Sequence, residues 1–318
     1  MKSGTGQGRA RGRVVVVGGG VIGLYSAWRL VEAGWSVTLI DAAAPDSREP
    51  ASWAAGGILS DLPPGSAGPP IREWLDQSRE RYPADCERLQ ALSGIDPEFW
   101  RCGMRVFDAD RSEWHPQVAQ VRSPRLLQAL AAALDRLGVD RRHGTVLGLW
   151  RRPDRVCGVH TADGPIEADA VVVCAGIGST QLTPAVAIEP VRGQMLLFAA
   201  PREPLTEIWY RDDFYLIPRR DGQVVAGSTL EWVGTDRHTT AEARAGLQAR
   251  AVGLYPALAG VAVLDHWAGL RPRRPDAPPL IAEIEPGLYA SSGHYRLGVS
   301  LAPASADILR ALIEATLA

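Results

Sequence analysis

The pattern of apolar and polar residues near the start of the chain predicts a strand, a helix and a second strand. Residues 14–17 are four consecutive valines, typical of a strand buried on both faces of a parallel sheet. Apolar residues then recur at helical spacing over residues 24–31 and stop before Gly34, which is suited to end a helix. Alternation over residues 35–41 favours a second strand. Residues 13–41 are therefore predicted to form one βαβ unit.

The rest of the chain alternates between two kinds of pattern. Helical spacing and apolar runs indicate an α/β region that resumes after a Pro/Gly-rich loop, whereas short alternating runs separated by turn residues indicate an antiparallel sheet. The predicted segments are a loop over 61–70, helices over 71–93 and 124–137, a buried strand over 168–174, short strands over 195–198, 214–218 and 223–229, and a last helix from Ala302 with Pro303 in its first turn.

Composition narrows the class of protein. The chain is 46% hydrophobic and 22% charged with a net charge of -2, which is expected of a soluble globular protein and does not favour nucleic-acid binding. Its apolar stretches are shorter than the roughly 20 residues that cross a bilayer, so no transmembrane helix is expected. Four isolated cysteines, without a CxxC pair, favour a reducing cytoplasm over a disulfide framework.

The counts of lysine and histidine exclude several chemistries. The only lysine is Lys2, in a Gly/Ser-rich tail, so a pyridoxal Schiff base or a Walker A phosphate site has no candidate residue. The six histidines include no HxxxH or HxH pair, and therefore no metal site is expected.

A glycine motif joins the first strand to the first helix. In Gly-Gly-Gly-Val-Ile-Gly, Gly18 permits a tight turn, Gly20 lets a pyrophosphate approach the backbone, and Gly23 lets the helix pack against the strand. Asp41 ends the second strand about 20 residues on, where its carboxylate can accept hydrogen bonds from a ribose. This combination predicts a dinucleotide site, and NAD and FAD both satisfy it.

A second small-residue segment, Ala-Ser-Trp-Ala-Ala-Gly-Gly-Ile at 51–58, would let backbone amides approach a flat ring system. With it, the chain resembles the D-amino acid oxidase superfamily of FAD-dependent enzymes, and within it the glycine oxidases most closely. The motifs that carry this resemblance occur in the family's order along nearly the whole chain: VVVVGGGVIGL at 14–24, ASWAAGGIL at 51–59, DAVVVCAGIGS at 169–179, PVRGQML at 190–196, YLIPR at 215–219, WAGLRP at 267–272 and GHYRLGVSLAP at 293–303.

The resemblance implies a Rossmann-like FAD-binding domain interleaved with an α+β substrate domain whose antiparallel sheet covers the flavin. We expect residues 1–62, 121–190 and 265–318 in the FAD-binding domain and residues 63–120 and 191–264 in the substrate domain. The expected FAD-contacting residues are Gly18, Gly20, Val21, Ile22, Gly23, Asp41, Ser52, Ala55, Gly56, Gly57, Val146, Ala175, Gly176 and Gly298.

The resemblance also implies which side chains meet the substrate. Arg271 matches the family's carboxylate-binding arginine, and a planar guanidinium suits a carboxylate because it donates two parallel hydrogen bonds. Arg296 is a second candidate for that contact, and Tyr215 matches a tyrosine that holds the substrate. His266 and His294 are interpreted as structural. The last helix, expected to begin near residues 303–305, would direct its positive end toward the flavin.

The expected activity is FAD-dependent oxidation of glycine or another small amino or N-alkyl amino acid, with dioxygen as electron acceptor and hydrogen peroxide as product. Two alternatives remain open: a flavin dehydrogenase or tailoring oxidase of a larger amine, and a non-catalytic FAD-binding partner subunit. Residues 107–122 form a shorter segment than the family usually carries, so a more open substrate cavity is expected. A homo-oligomer is also left open.

Overall fold

A computed structural model describes residues 11–44, 47–109 and 111–317, so Lys2 and the rest of the tail up to residue 10 lie outside the described residues. The described residues form strands β1 Arg13–Val17, β2 Ser36–Asp41, β3 Ile58–Leu59, β4 Met104–Asp108, β5 Arg111–His115, β6 Ala119–Gln120, β7 Asp140–His143, β8 Val146–Arg151, β9 Val156–Thr161, β10 Gly164–Glu167, β11 Ala170–Val173, β12 Glu189–Phe198, β13 Ile208–Arg211, β14 Phe214–Pro218, β15 Val224–Gly227, β16 Val263–Arg273, β17 Leu280–Glu285 and β18 Leu288–Ser292.

The helices alternate with these strands. They are α1 Val21–Glu32, α2 Ala51–Ala54, α3 Ile71–Ser93, α4 Ser123–Arg136, α5 Ser179–Leu182, α6 Ala241–Leu254 and α7 Gly298–Leu317, with 3₁₀ turns at Gly176–Gly178, Pro256–Leu258 and Tyr295–Leu297. Within the described ranges, no helix has both the length and the apolar character needed to cross a membrane.

A six-stranded sheet in the order β17-β18-β11-β1-β2-β7 forms the centre of the first structural layer. Its strands are parallel except for β17, which runs antiparallel to β18. The four valines of β1 explain its position: Val14 and Val16 pack under helices α1, α4 and α7, whereas Val15 and Val17 pack against the small sheet β10-β9-β8. Both faces of the strand are buried, as the apolar run predicted.

A seven-stranded sheet in the order β16-β12-β15-β14-β13-β4-β5 forms the second layer, and only its β13–β4 pair is parallel. Alternate residues again divide between two faces. Leu196 and Leu216 pack with helix α6, while Met195 and Tyr215 belong to the opposite face. The predicted α/β fold class, with a mainly antiparallel second sheet built from interleaved segments, is confirmed.

Two of the expected domain boundaries need correction. Strand β16 pairs with β12 along its length, so residues 265–273 belong to the second sheet and not to the first layer. Gly269 and Pro272 concealed this strand because glycine and proline are rare in strands, but β16 lies at a sheet edge, where proline is tolerated. In addition, α3 lies in the segment 63–120 yet packs Tyr82 and Leu89 into the core of the first layer.

The last helix also begins earlier than expected, at Gly298, and contains Pro303 in its interior. Proline removes one helical hydrogen bond and displaces its neighbours. Helix α3 supplies the missing partners: the Tyr82 hydroxyl donates to the Val299 carbonyl, and the Ser78 hydroxyl accepts from Ala304 N at 3.2 Å. Packing on α3 therefore lets the helix continue through Pro303.

Candidate cofactor and substrate site

The turn between β1 and α1 has room for an anion and little room for side chains. Gly18 has φ +109°, and a Cβ there would lie 2.5 Å from the Cys174 carbonyl oxygen. A Cβ on Gly23 would lie 1.8 Å from the Gly18 oxygen, so this glycine is needed for the close packing of helix and turn. At Gly20, by contrast, a Cβ would approach only Ser52 Oγ, at 3.3 Å. The space beside Gly20 is therefore open at the helix N-terminus, which carries no acidic residue in its first turn.

Asp41 lies against this turn at the end of β2. A Cβ on Gly19 would be 2.4 Å from Asp41 Oδ2, and Asp41 Oδ1 accepts from Ala43 N at 3.2 Å. Burial raises the pKa of Asp41, although backbone hydrogen bonds partly oppose this effect. The carboxylate is held where the ribose of a dinucleotide would lie beside the glycine turn.

One cavity of about 590 Å³ connects the two layers. This volume lies within the range of sites for cofactors and small molecules. Every residue expected at the site lines the cavity except Gly23, which packs the helix against the turn. The cavity reaches from the glycine turn to residues of the second sheet, so a single extended ligand could contact both layers.

The small residues of the segment 51–58 are required by protein packing as well as by a ligand. A Cβ on Gly56 would lie 2.7 Å from Ile217 Cδ1, and one on Gly57, at φ +79°, would lie 2.0 Å from the Val121 oxygen. A Cβ on Gly269 of β16 would lie 2.5 Å from Ala54 Cβ. The segment therefore packs closely between the second sheet and the chain next to β6, and its remaining side faces the cavity.

Arg271 projects from β16 and lines the cavity. Its Nη2 donates to Ser228 Oγ at 2.6 Å and its Nη1 donates to the Thr229 carbonyl at 3.3 Å. Both acceptors are uncharged, and the structure shows no carboxylate in ion-pair contact with Arg271 anywhere in the described ranges. The guanidinium charge is therefore available to an anionic ligand.

Arg296 differs from Arg271 because its charge is already compensated. Its Nη1 donates to Asp213 Oδ1 at 3.0 Å, and the Tyr210 hydroxyl donates to the same oxygen at 3.0 Å. Burial alone would raise the pKa of Asp213, but its hydrogen bond and charge interaction with Arg296 lower it. Arg296 lines the cavity, yet it is the weaker of the two candidates for binding a carboxylate.

Tyr215 and His294 also line the cavity. Among the described residues, the hydroxyl of Tyr215, on β14, donates only to the Met195 sulfur, at 3.8 Å, so it can also serve a ligand. His294 is buried, with Nε2 3.0 Å from Ser305 Oγ, and burial lowers its pKa to about 3. The imidazole is consequently neutral at physiological pH.

Sequence reasoning missed the role of Gly193, which lies on β12 next to β16. A Cβ at Gly193 would lie 2.1 Å from Arg271 Nη2, so the guanidinium rests directly on this glycine. Gly193 pairs in register with Gly269, the glycine that contacts Ala54. Both glycines lie inside strands, where glycine often marks a close approach of another group, and this was the signal available in the sequence.

Comparisons with known proteins identify the family of the chain. A profile of the family described as FAD dependent oxidoreductase (DAO) matches residues 13–115 and 110–312 of the chain. The chain is 38% identical over 345 residues to a glycine oxidase of Pseudomonas putida, covering 95% of this chain and 94% of that protein. It is similar to the solved structure of glycine oxidase from Bacillus cereus, with a TM-score of 0.89, 26% identity, and coverage of 96% of this chain and 95% of the other. Iminodiacetate oxidase from a Chelativorans species shares the fold, with a TM-score of 0.86 at 21% identity over 95% of both chains.

Proposed function

The chain belongs to the family of FAD-dependent oxidoreductases, and from this premise we propose that it oxidises glycine or another small amino or N-alkyl amino acid with dioxygen, which is reduced to hydrogen peroxide. FAD-dependent oxidation of an amino acid follows from the family and from its relatives; the size of the substrate and the use of dioxygen are the proposal. The observation that carries it is the guanidinium of Arg271, which faces the cavity without an acidic partner in the described structure.

The residues that would hold FAD form three groups along the cavity. At the start of α1 the amides of Gly20 and Ile22 suit the pyrophosphate, and Asp41 suits the ribose. The Val21 amide already donates to Ser52 Oγ at 3.0 Å, so we propose that Val21 contacts FAD as part of the cavity lining. The remaining contacts that we propose come from small residues and from the N-terminus of α7, whose positive end would face the ring system: Ser52, Ala55, Gly56, Gly57, Val146, Ala175, Gly176 and Gly298.

Arg271 would bind and orient the substrate through its carboxylate. Its two terminal nitrogens are held by Ser228 and Thr229, so the guanidinium plane has a fixed orientation before the substrate arrives. Tyr215 would add one hydrogen bond and an apolar wall. Orientation of this kind reduces the barrier by converting an encounter into an aligned complex.

Bound FAD supplies an acceptor for a hydride from the α-carbon, leaving an imine that water hydrolyses to the oxo acid and ammonia or amine. This chemistry requires no protein base at the α-carbon, and neutral His294 is bonded to Ser305 within the fold. The role of the protein is therefore to bind, orient and exclude water.

The short segment over residues 107–122 bears on the size of the substrate. A tight hairpin, β4 with β5, occupies this segment, and Trp114 on β5 is 42% exposed. No described residue of this segment lines the cavity, so we expect room for N-alkyl amino acids and slow oxidation of glycine itself. A cytoplasmic location is also part of the proposal, because all four cysteines are free and buried.

A substrate screen tests the proposal. Oxygen uptake, peroxide formation and reduction of an artificial dye would be measured for glycine, N-methylglycine and amino acids of increasing size. Oxygen uptake matched by peroxide supports an oxidase. Dye reduction without oxygen uptake would show that the enzyme is a dehydrogenase and not an oxidase. Turnover restricted to amines without a carboxylate would contradict the role of Arg271.

A further inference from the structure

Among the described residues, Arg219 is a buried cation without an acidic partner. It ends the YLIPR motif at 215–219, but the motif does not explain its role. It follows β14, is 7% exposed, and does not line the cavity. The carboxylates of Glu98 and Asp221 pair instead with Arg122, at 3.5 and 2.8 Å. Burial lowers the pKa of Arg219 to about 10, so it remains charged at neutral pH. Burying a charge without an opposite charge costs free energy, so the hydrogen bonds that Arg219 makes are of interest.

The guanidinium of Arg219 donates hydrogen bonds to three uncharged oxygens. Nη1 donates to Gln120 Oε1 at 2.7 Å and to the Val121 carbonyl at 3.3 Å, while Nη2 donates to the Gly56 carbonyl at 2.9 Å. The Gln120 side chain is fixed in turn, because its Nε2 donates to the Pro218 carbonyl at 2.7 Å. Arg219 therefore connects the 51–58 segment, which lines the cavity, to the chain beneath it.

The contact with Gly56 determines how the next peptide group faces. The peptide bond between Gly56 and Gly57 is trans, so its N–H points away from its carbonyl and hence away from Arg219. Gly57 lines the cavity, and its N–H has no hydrogen-bond partner among the described residues. On the other side of the same residue, the Gly57 carbonyl accepts from Val121 N at 2.9 Å. The loop is therefore fixed through the carbonyls of Gly56 and Gly57, while the Gly57 N–H is left for a ligand.

We propose that Arg219 is a positioning residue for FAD: it holds the Gly56 carbonyl behind the loop so that the Gly57 N–H is presented to the ring of the bound cofactor as a hydrogen-bond donor. We take the acceptor to be an oxygen of the ring's pyrimidine half, where negative charge collects on reduction, so the donor binds reduced FAD better than oxidised FAD. Arg219 therefore raises both the affinity for FAD and the reduction potential of the bound flavin. This inference rests on the FAD site alone and is independent of the proposed substrate.

The test compares the holoenzyme with Arg219→Met, Arg219→Lys and the neighbouring control Arg122→Met. Two quantities are measured without substrate: the FAD dissociation constant, from flavin release on dilution, and the two-electron midpoint potential, from a redox titration against a reference dye. Arg122 lies beside Arg219 and carries the same charge, but it bonds to Asp221 and not to the loop. The control therefore separates the contact with Gly56 from the general effect of removing a positive charge.

In Arg219→Met we expect about tenfold weaker FAD binding, the size of one lost hydrogen bond in the loop. We also expect a midpoint potential about 30 mV lower, which corresponds to a tenfold loss of preference for reduced flavin in a two-electron couple. Arg219→Lys keeps the charge but one ammonium cannot reach all three oxygens, so both quantities should change in the same direction; this variant decides the matter if the methionine variant does not fold. Parental values in a folded Arg219 variant, or an equal potential shift in Arg122→Met, would overturn the proposal.

Discussion

Replacing Gly193 with alanine would place a methyl group where the Arg271 guanidinium lies. The new Cβ would be 2.1 Å from Nη2, 2.2 Å from Nη1 and 2.3 Å from Cζ. Ordinary contacts between heavy atoms need about 3.5–4.0 Å, so the guanidinium must retreat by about 1.5 Å. Arginine is long enough to move its end group, and the strand backbone need not change. The fold should therefore survive while the 2.6 Å contact with Ser228 and the alignment for a carboxylate are lost.

The expected cost follows from this displacement. A hydrogen bond to a charged group contributes about 1.5–3 kcal/mol, and a misplacement of about 1 Å can lower a rate about a hundredfold. We expect kcat/KM for amino acids to fall ten- to hundredfold, with normal FAD content and a similar melting temperature. Stopped-flow measurement of anaerobic flavin reduction provides the rate, and Gly148→Ala provides the control, since a Cβ at that strand position meets nothing within 4 Å. Unchanged reduction kinetics in Gly193→Ala would refute the assignment of Arg271 as the carboxylate site.

Three further changes test other parts of the site. Arg271→Lys keeps the charge but not the paired donors, so kcat/KM measured by oxygen uptake should fall about ten- to hundredfold, and parental kinetics would remove Arg271 from the site. Gly20→Ala should lower the FAD content, read from the flavin absorbance, without lowering the melting temperature of the FAD-free protein, because the new Cβ approaches only Ser52 Oγ, at 3.3 Å; full FAD content would contradict the position of the pyrophosphate. Because burial lowers the pKa of His294 to about 3 while the unfolded value is about 6.5, the unfolded chain binds the extra proton between these values, and stability falls as pH drops through this window. In His294→Gln the melting temperature should change less between pH 6.5 and 4.5 than it does in the parent protein. An unchanged slope would show that another group dominates the pH dependence of stability in this window.

The local pattern of apolar and polar residues was sufficient to predict a strand or helix where residues close in sequence are also close in space. The βαβ unit over residues 13–41 and helix α3 were predicted from periodicity, and the structure has strands and helices at these places. The limits of α7 were not predictable in this way, because Pro303 is accommodated only by partners on α3. Periodicity also missed β16, since its glycine and proline are tolerated through its pairing with β12 at the sheet edge.

Within the site, residue types indicated the candidates but not the contacts among them. Motifs placed Arg271 and Arg296 together as possible carboxylate ligands, and only the fold shows that Asp213 neutralises Arg296 while Arg271 rests on Gly193. The contact of Arg219 with Gly56 likewise joins two segments that are distant in sequence. Such contacts depend on how strands and loops pack. A glycine within a strand indicates that some group approaches closely, but a single sequence does not show which group it is.

In the proposed reaction, bound FAD accepts electrons from a substrate that Arg271 holds by its carboxylate. The most direct test is the visible spectrum of the holoenzyme under anaerobic conditions, with pairs of compounds that differ only in the carboxylate: glycine against methylamine, and N-methylglycine against dimethylamine. We predict that the flavin absorbance bleaches with at least one amino acid and persists with its decarboxylated partner. A flavin that no amino acid bleaches, or that the partner amines bleach equally well, would contradict the claim.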